Sequence, residues 1–410
     1  MNKLIYIPLL SLCIATICCK NGNHTASDNT DTETPVSGSQ NPETGSPNTD
    51  IKPAFTGQTR IAGVKTSTPY NVDVITQNLG KPWGIINLPD GRFLVTEKTG
   101  FIHLISKDGK NVTKITGLPA VDSKGQGGLL DVALDPDFQN NRMIYWSYSE
   151  PYTGDNHTSV AKGKLSANET SIENPTVIFR ATPTYNGDKH YGSRLIFDKD
   201  GNLFVSTGER SDLATRPLAQ DQNTYLGKIL KITKDGKPAP GNPQIAGWKP
   251  EIYSTGHRNP QGTAIHPVTG ELWDAEMGPR GGDEINLIKP GKNYGWPTIT
   301  YGEEYSGLTI GEGIGQKAGL EQPVYYWDPS ISMSGIDFYT GNIDEWKNNM
   351  MLGCLSGQKI IRLVIENNKV TGEEWLLADK GERFRDVLSG NDGNLYAITD
   401  SGKLYRISRK

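Results

Sequence analysis

The chain has 410 residues, of which 72 are Gly or Pro (47 and 25), and its apolar types reach only 35 %. Gly and Pro break helices, so this composition excludes a mostly helical protein and suits short strands joined by tight turns. A net charge of −4 without like-charge blocks leaves no basic field to hold nucleic acid, which makes a small molecule the expected partner.

Residues 1–19 read as an export signal: Lys3 precedes an apolar run over 4–19 that is too short for an ordinary membrane span and ends in Cys18 and Cys19. The pattern is that of a bacterial lipoprotein leader, with lipid on Cys18 or Cys19; an ordinary secreted protein and an uncleaved anchor are the alternatives. An exported protein facing the periplasm or cell surface, touching membrane only through its lipid, is the expectation. Residues 20–68 are expected to form a disordered low-complexity tether, because 20–50 contain only Ala26 and Val36 as apolar residues. Of the four Cys, only Cys354 lies beyond the leader, which excludes a disulfide framework and suits a buried apolar role.

Residues 69–410 are expected as one domain, long for a single core, a length that repeat architectures accommodate. A motif of apolar residue, turn and aromatic-rich strand recurs at 88–95, 134–148, 197–205, 265–273, 338–352 and 388–398. Several copies lead into another strand, beginning at Gly100, Gly227, Asp283 and Gly402. Asp-Gly and Thr-Gly pairs at the turns tolerate the positive φ of tight hairpins. Six such units predict an all-β, six-bladed β-propeller, with a β-sandwich or several small β-domains as the alternative. A strand around Val72 is expected to pair with the last blade and close the ring. The long loops at 119–130, 180–194, 206–228, 274–284, 293–333 and 379–386 are then expected to hold the chemistry.

No phosphate-binding loop, no G-x-S-x-G and no metal-ligand spacing among the six His is present. Other loops are polar and specific. His190 in DKHYGSR lies one hairpin from Glu209 in GER, close enough for a carboxylate to orient an imidazole; an ordinary loop histidine is the alternative. Arg258 and Asn259 in GHRNPQG either aim donors at an anion or build a turn. Asp283 and Glu284, in a Gly/Pro loop rich in carbonyls, are hard-oxygen donors of the calcium type. Gln126 projects from SKGQGGLL, and Arg383 and Arg385 share one face of an extended segment.

Taken together, KPWG (81–84), GQGGLLDVALDPDF (125–138), HYGSRL (190–195), LGKIL (226–230), GHRNPQG (256–262), GPRGGDEINLI (278–288) and NYGWP (293–297) resemble the soluble quinoprotein aldose dehydrogenases of the glucose/sorbosone dehydrogenase family. These are six-bladed propellers that bind pyrroloquinoline quinone (PQQ) and Ca2+. The resemblance implies His190 as catalytic base and Glu209 as its acidic partner. It implies Gln126 and Arg258 as polar groups toward substrate and cofactor, and Asn259, Arg383 and Arg385 as cofactor-binding residues. Gly278 and Pro279 match carbonyl ligands of the cofactor's calcium; Glu284 and Tyr294 match a second calcium site. Where the family often has a Lys at the cofactor, this chain has Ser356, with Lys359 three residues on. The implied reaction is oxidation of an aldose at C1 to the lactone, with electrons passed to an acceptor other than NAD or oxygen. A tethered propeller that binds carbohydrate or protein without catalysis is the rival expectation.

Overall fold

The structure, a computed structural model, describes residues 40–410. Six four-stranded antiparallel sheets form the blades of a propeller, as the repeats predict. The innermost strands are Pro82–Asn87, Leu129–Leu134, Gly192–Phe197, Pro260–Ile265, Met333–Phe338 and Phe384–Ser389, one for each of blades 1 to 6. Each lies against the next around the ring, and the sixth returns to the first. The recurrent motifs are the first hairpins of the blades: 197–205, for example, is the turn between Gly192–Phe197 and Leu203–Thr207. The α-helical turn Phe138–Asn141 sits inside such a hairpin in blade 2.

Each blade packs on two neighbours, so its middle strands are apolar on both faces; Leu203–Thr207 is buried throughout. Six apolar clusters fill the gaps between successive blades; one joins Trp273 and Ile285 of blade 4 to Met333 and Leu352 of blade 5. Tyr70–Thr76 pairs antiparallel with Leu404–Arg409, Val72 opposite Ile407, and supplies the outer strand of blade 6. The expected closure is therefore present, and it removes the free edges that an open sheet would expose.

Residues 40–68, expected within the tether, instead lie along the propeller. Asn48 and Thr49 donate four hydrogen bonds to the Asp328 carboxylate, and Arg60 donates to the carbonyls of Gly45 and Asp328. Gln58 is fully buried, its amide nitrogen 2.9 Å from the Pro323 carbonyl. Much of the anchoring is polar: short side chains and open backbone amides satisfy a carboxylate at the end of blade 4, a form of packing that hydrophobicity does not report, while Ile61 adds an apolar contact with the cluster between blades 4 and 5. The expected leader over 1–19 and the rest of the tether, 20–39, lie outside the described residues.

The middle of the ring is filled by charge. Arg194 on blade 3 reaches Asp386 of blade 6 at 2.8 Å and Asp131 of blade 2 at 3.3 Å, and donates to the Gln261 carbonyl of blade 4 at 2.6 Å. Its guanidinium stacks 4.2 Å from the Trp83 ring centre. Burial pushes Asp386 up to about 6, against the pull of Arg194, while backbone amides of Ile85 and Leu195 hold the carboxylates in place.

Candidate functional site

A cavity of about 660 Å³ opens among the loops at one end of the ring. Its wall includes Gln126, His190, Arg258, Gly278, Pro279, Ser356, Arg383 and Arg385, all named in the sequence as site candidates and drawn from six separate segments. Lys81, Trp83, Lys98, Gln261, Arg280 and Asp400 also line it, none of them foreseen as site residues, although KPWG contains two. Asn48 of the N-terminal segment also lines it.

His190 is brought to the cavity by a close approach of two backbones. Gly192 opposes Thr207 in the hairpin of blade 3, with Gly192 at a φ of +63°, and a Cβ on either Gly192 or Gly208 would strike the opposing main chain. That contact sets His190 Nδ1 at 2.6 Å from Glu209 Oε1. Gln126 Oε1 accepts the His190 backbone N–H at 2.8 Å, so Gln126 fixes the loop. Arg210 stacks on Tyr191, 4.1 Å from the ring centre, and donates to the Lys189 carbonyl, bracing the same turn. Burial, joined by the nearby Arg258 charge, pushes His190 down to about 4 in spite of Glu209. The imidazole is therefore neutral near pH 7. With its Nδ1 hydrogen directed to Glu209, its Nε2 lone pair is left for the cavity.

Arg258 is anchored from behind. Its backbone N–H donates to Glu276 Oε2 at 2.8 Å, and its Nη1 donates to the carbonyls of Met277 and Gly278 at 2.8 and 2.7 Å. The Gly278 carbonyl is thus already serving a guanidinium. Asn259 is buried behind the wall, its Oδ1 accepting from the Gly192 N–H at 3.1 Å. Arg383 and Arg385 both pair with Asp400, at 2.9 and 2.8 Å. Ser356 Oγ bonds Ser332 Oγ at 2.7 Å, whereas Lys359 is buried over the Trp375 ring and lines no part of the cavity.

The two adjacent acids of blade 4 separate. Asp283 Oδ1 accepts from the Gly278 N–H, and Oδ2 from Ser330 Oγ and the N–H groups of Ile331 and Ser332. Both oxygens tie loops together, and Asp283 does not border the space beside Glu284. Glu284 faces the other way, with Glu276, Tyr294 and Thr300, onto a space of about 10 Å³, room for one small occupant. Burial and the Glu276 charge push Glu284 well above the usual carboxylate range. Cys354 is fully buried, as expected.

The family model for glucose/sorbosone dehydrogenases matches residues 79–406. The aldose sugar dehydrogenase YliI of Escherichia coli (strain K12) is 41 % identical, over 82 % of this chain and 92 % of that protein. The crystal structure of the soluble aldose sugar dehydrogenase from E. coli in its apo form has a TM-score of 0.79 at 40 % identity, over 83 % of this chain and 100 % of that one. The PQQ-bound aldose sugar dehydrogenase of Streptomyces coelicolor has a TM-score of 0.70 at 28 % identity, over 84 % and 100 %. On this ring of six blades and this match along most of its length, the chain belongs to the glucose/sorbosone dehydrogenase family of oxidoreductases.

Proposed function

We propose that the protein oxidises an aldose at C1 to the lactone, using PQQ and Ca2+ held in the cavity. One observation carries the reading: a neutral imidazole, His190, hydrogen-bonded to a buried carboxylate at 2.6 Å, on the wall of the cavity that Arg258 also lines. The wall suits a cofactor with three carboxylates, since Lys81, Lys98, Arg258, Arg383 and Arg385 meet there against one carboxylate among the described residues, Asp400. When bound, PQQ supplies the two-electron acceptor for the C1 hydride.

His190 Nε2 takes the proton of the C1 hydroxyl, and Glu209 stabilises the imidazolium that results. Gln126 keeps the base in register. Arg258 supplies positive charge where negative charge develops, in a site whose donors are already oriented. Arg383, Arg385 and Ser356 would hold the cofactor, while Asn259, buried behind the wall, would support the loop that carries His190. The carbonyls of Gly278 and Pro279 would hold its calcium, which requires Arg258 to release or share Gly278. A second calcium would sit between Glu284 and Tyr294. The electrons then pass to an acceptor other than NAD or oxygen, and the expected leader makes the enzyme exported and lipid-tethered.

Apo protein titrated with PQQ and Ca2+ in a dye-linked aldose assay tests the reading. Turnover that needs both additions supports it. A protein that binds sugars yet reduces no dye with any aldose, with PQQ demonstrably bound, is the non-catalytic module instead.

A further inference from the structure

We propose that blade 4 contains a buried binding site for a first-row divalent cation, zinc or manganese, built from His257 Nδ1, Asp274 and Glu276. It differs in its donors from the calcium positions considered above, although Glu276 also borders the space beside Glu284, and it does not rest on the reading of the cavity as a quinone site.

Strand register creates the site. Leu272–Glu276 pairs with Asp283–Ile288 so that Glu276 opposes Glu284 and Asp274 opposes Asn286. Alternation along each strand then sends Asp274, Glu276, Glu284 and Asn286 to one face. His257, in the turn before Pro260–Ile265, meets that face, stacked at 4.8 Å on Tyr294. His257 Nδ1 lies 3.6 Å from Glu276 Oε1 and 3.8 Å from Asp274 Oδ2, and the three donors fall within 4.8 Å of one another.

Glu276 is partnered, its Oε1 accepting from Asn286 Nδ2 at 3.3 Å, but the atoms around it are not. His257 and Asp274 are wholly buried, yet His257 Nδ1, both Asp274 oxygens and Asn286 Oδ1 find no hydrogen-bond partner among the described residues. The gaps of 3.6 and 3.8 Å are too long for a direct hydrogen bond, so a proton moved onto Asp274 would not close them. Two donors each about 2.0–2.2 Å from one ion span such gaps. A water supplies only two hydrogens to a set made of acceptors. Burial with the charges of Glu276 and Glu284 pushes Asp274 well above the usual carboxylate range, a cost that a cation removes.

The nitrogen donor selects the metal. Calcium takes oxygen ligands, whereas an imidazole with two carboxylates suits zinc or manganese. The far ring nitrogen, Nε2, sits 2.8 Å from Ser254 Oγ, and its hydrogen can be donated there, which leaves Nδ1 bare for the ion. Glu276 Oε2 meanwhile keeps the Arg258 backbone N–H, so the ion locks the turn that carries the cavity's arginine.

The test is the metal content of the full chain, expressed with added zinc or manganese, together with anomalous diffraction at the zinc and manganese edges. The expected result is one equivalent of zinc or manganese per chain and a peak within bonding distance of His257 Nδ1, Asp274 and Glu276. Asp274→Asn should lose that equivalent and that peak while any calcium beside Glu284 remains. His257→Asn serves as the second variant should Asp274→Asn not fold. The proposal is overturned by parent protein without zinc or manganese, by calcium or water at the three-residue position, by a peak only beside Glu284, or by an Asp274→Asn protein that keeps the ion.

Discussion

His190 and His257 are both buried, both face carboxylates, and both come from short motifs just ahead of an innermost strand, yet the fold gives them opposite surroundings. His190 touches Glu209 at 2.6 Å and opens onto the large cavity. His257 is sealed behind Tyr294, its carboxylates no nearer than 3.6 Å. A histidine in hydrogen-bond contact with one carboxylate and open to substrate is arranged to move a proton; one held off from several carboxylates, away from any cavity, is arranged to share something with them. The difference lies in access and in distance, not in residue type.

Exchanging either ring breaks the comparison in a different observable. His190→Gln should leave PQQ and Ca2+ bound but lower turnover by about 10²–10⁴-fold, the contribution of a positioned general base, as read by stopped-flow reduction of the bound quinone with an active aldose. Parent rates in that variant would return His190 to an ordinary loop histidine. Glu209→Gln should lower the same rate by less, because the imidazole remains while its orientation and countercharge weaken. His257→Gln should act on stability instead, lowering it by about 1–3 kcal/mol in urea unfolding by stranding the buried atoms around it, with a smaller effect on turnover than His190→Gln.

The pH dependence sharpens the contrast further. His190 titrates near 4 when folded against 6.5 ordinarily. Between those values the unfolded chain holds the extra proton, so stability falls as pH drops from about 6.5 to 4, and above that window the group contributes nothing. Unfolding free energies measured from pH 7 to pH 4 should decline less steeply in His190→Gln, by up to one proton. The smallest effect concerns the N-terminal segment: Arg60→Ala, which removes three hydrogen bonds to carbonyls, should lower stability by about 1 kcal/mol in the same assay.

Much of this was readable in advance where chemistry and chain order coincide. The Asp-Gly and Thr-Gly turns mark the first hairpins because positive φ restricts which residues can stand there, and His190 and Glu209 flank one such hairpin. Partnerships set by register were hidden. Asp283 and Glu284 look like a pair in sequence, but neighbours on a strand point to opposite faces, so one ties loops and the other joins Glu276. Asp274 meets Asn286 only through that pairing, and nothing in linear spacing announces it. Arg194 and Asp131 lie inside HYGSRL and GQGGLLDVALDPDF, and Asp386 ends the loop at 379–386; the missing signal was that a charge in an otherwise apolar innermost strand must find its counterion across the ring. The N-terminal segment gives little apolar signal because much of its anchoring uses polar and backbone contacts.

The closure of blade 6 has a consequence in time. Tyr70–Thr76 is made more than 300 residues before Leu404–Arg409, the strand it pairs with. Until that partner is made the strand remains an unmatched edge and the circle stays open, whatever the intervening blades have achieved. Contacts across more than 300 positions are slow to form, so closure comes after the blades themselves. The ring is thus fastened late, and a ribosome that stops before Leu404 releases an open arc with two exposed sides.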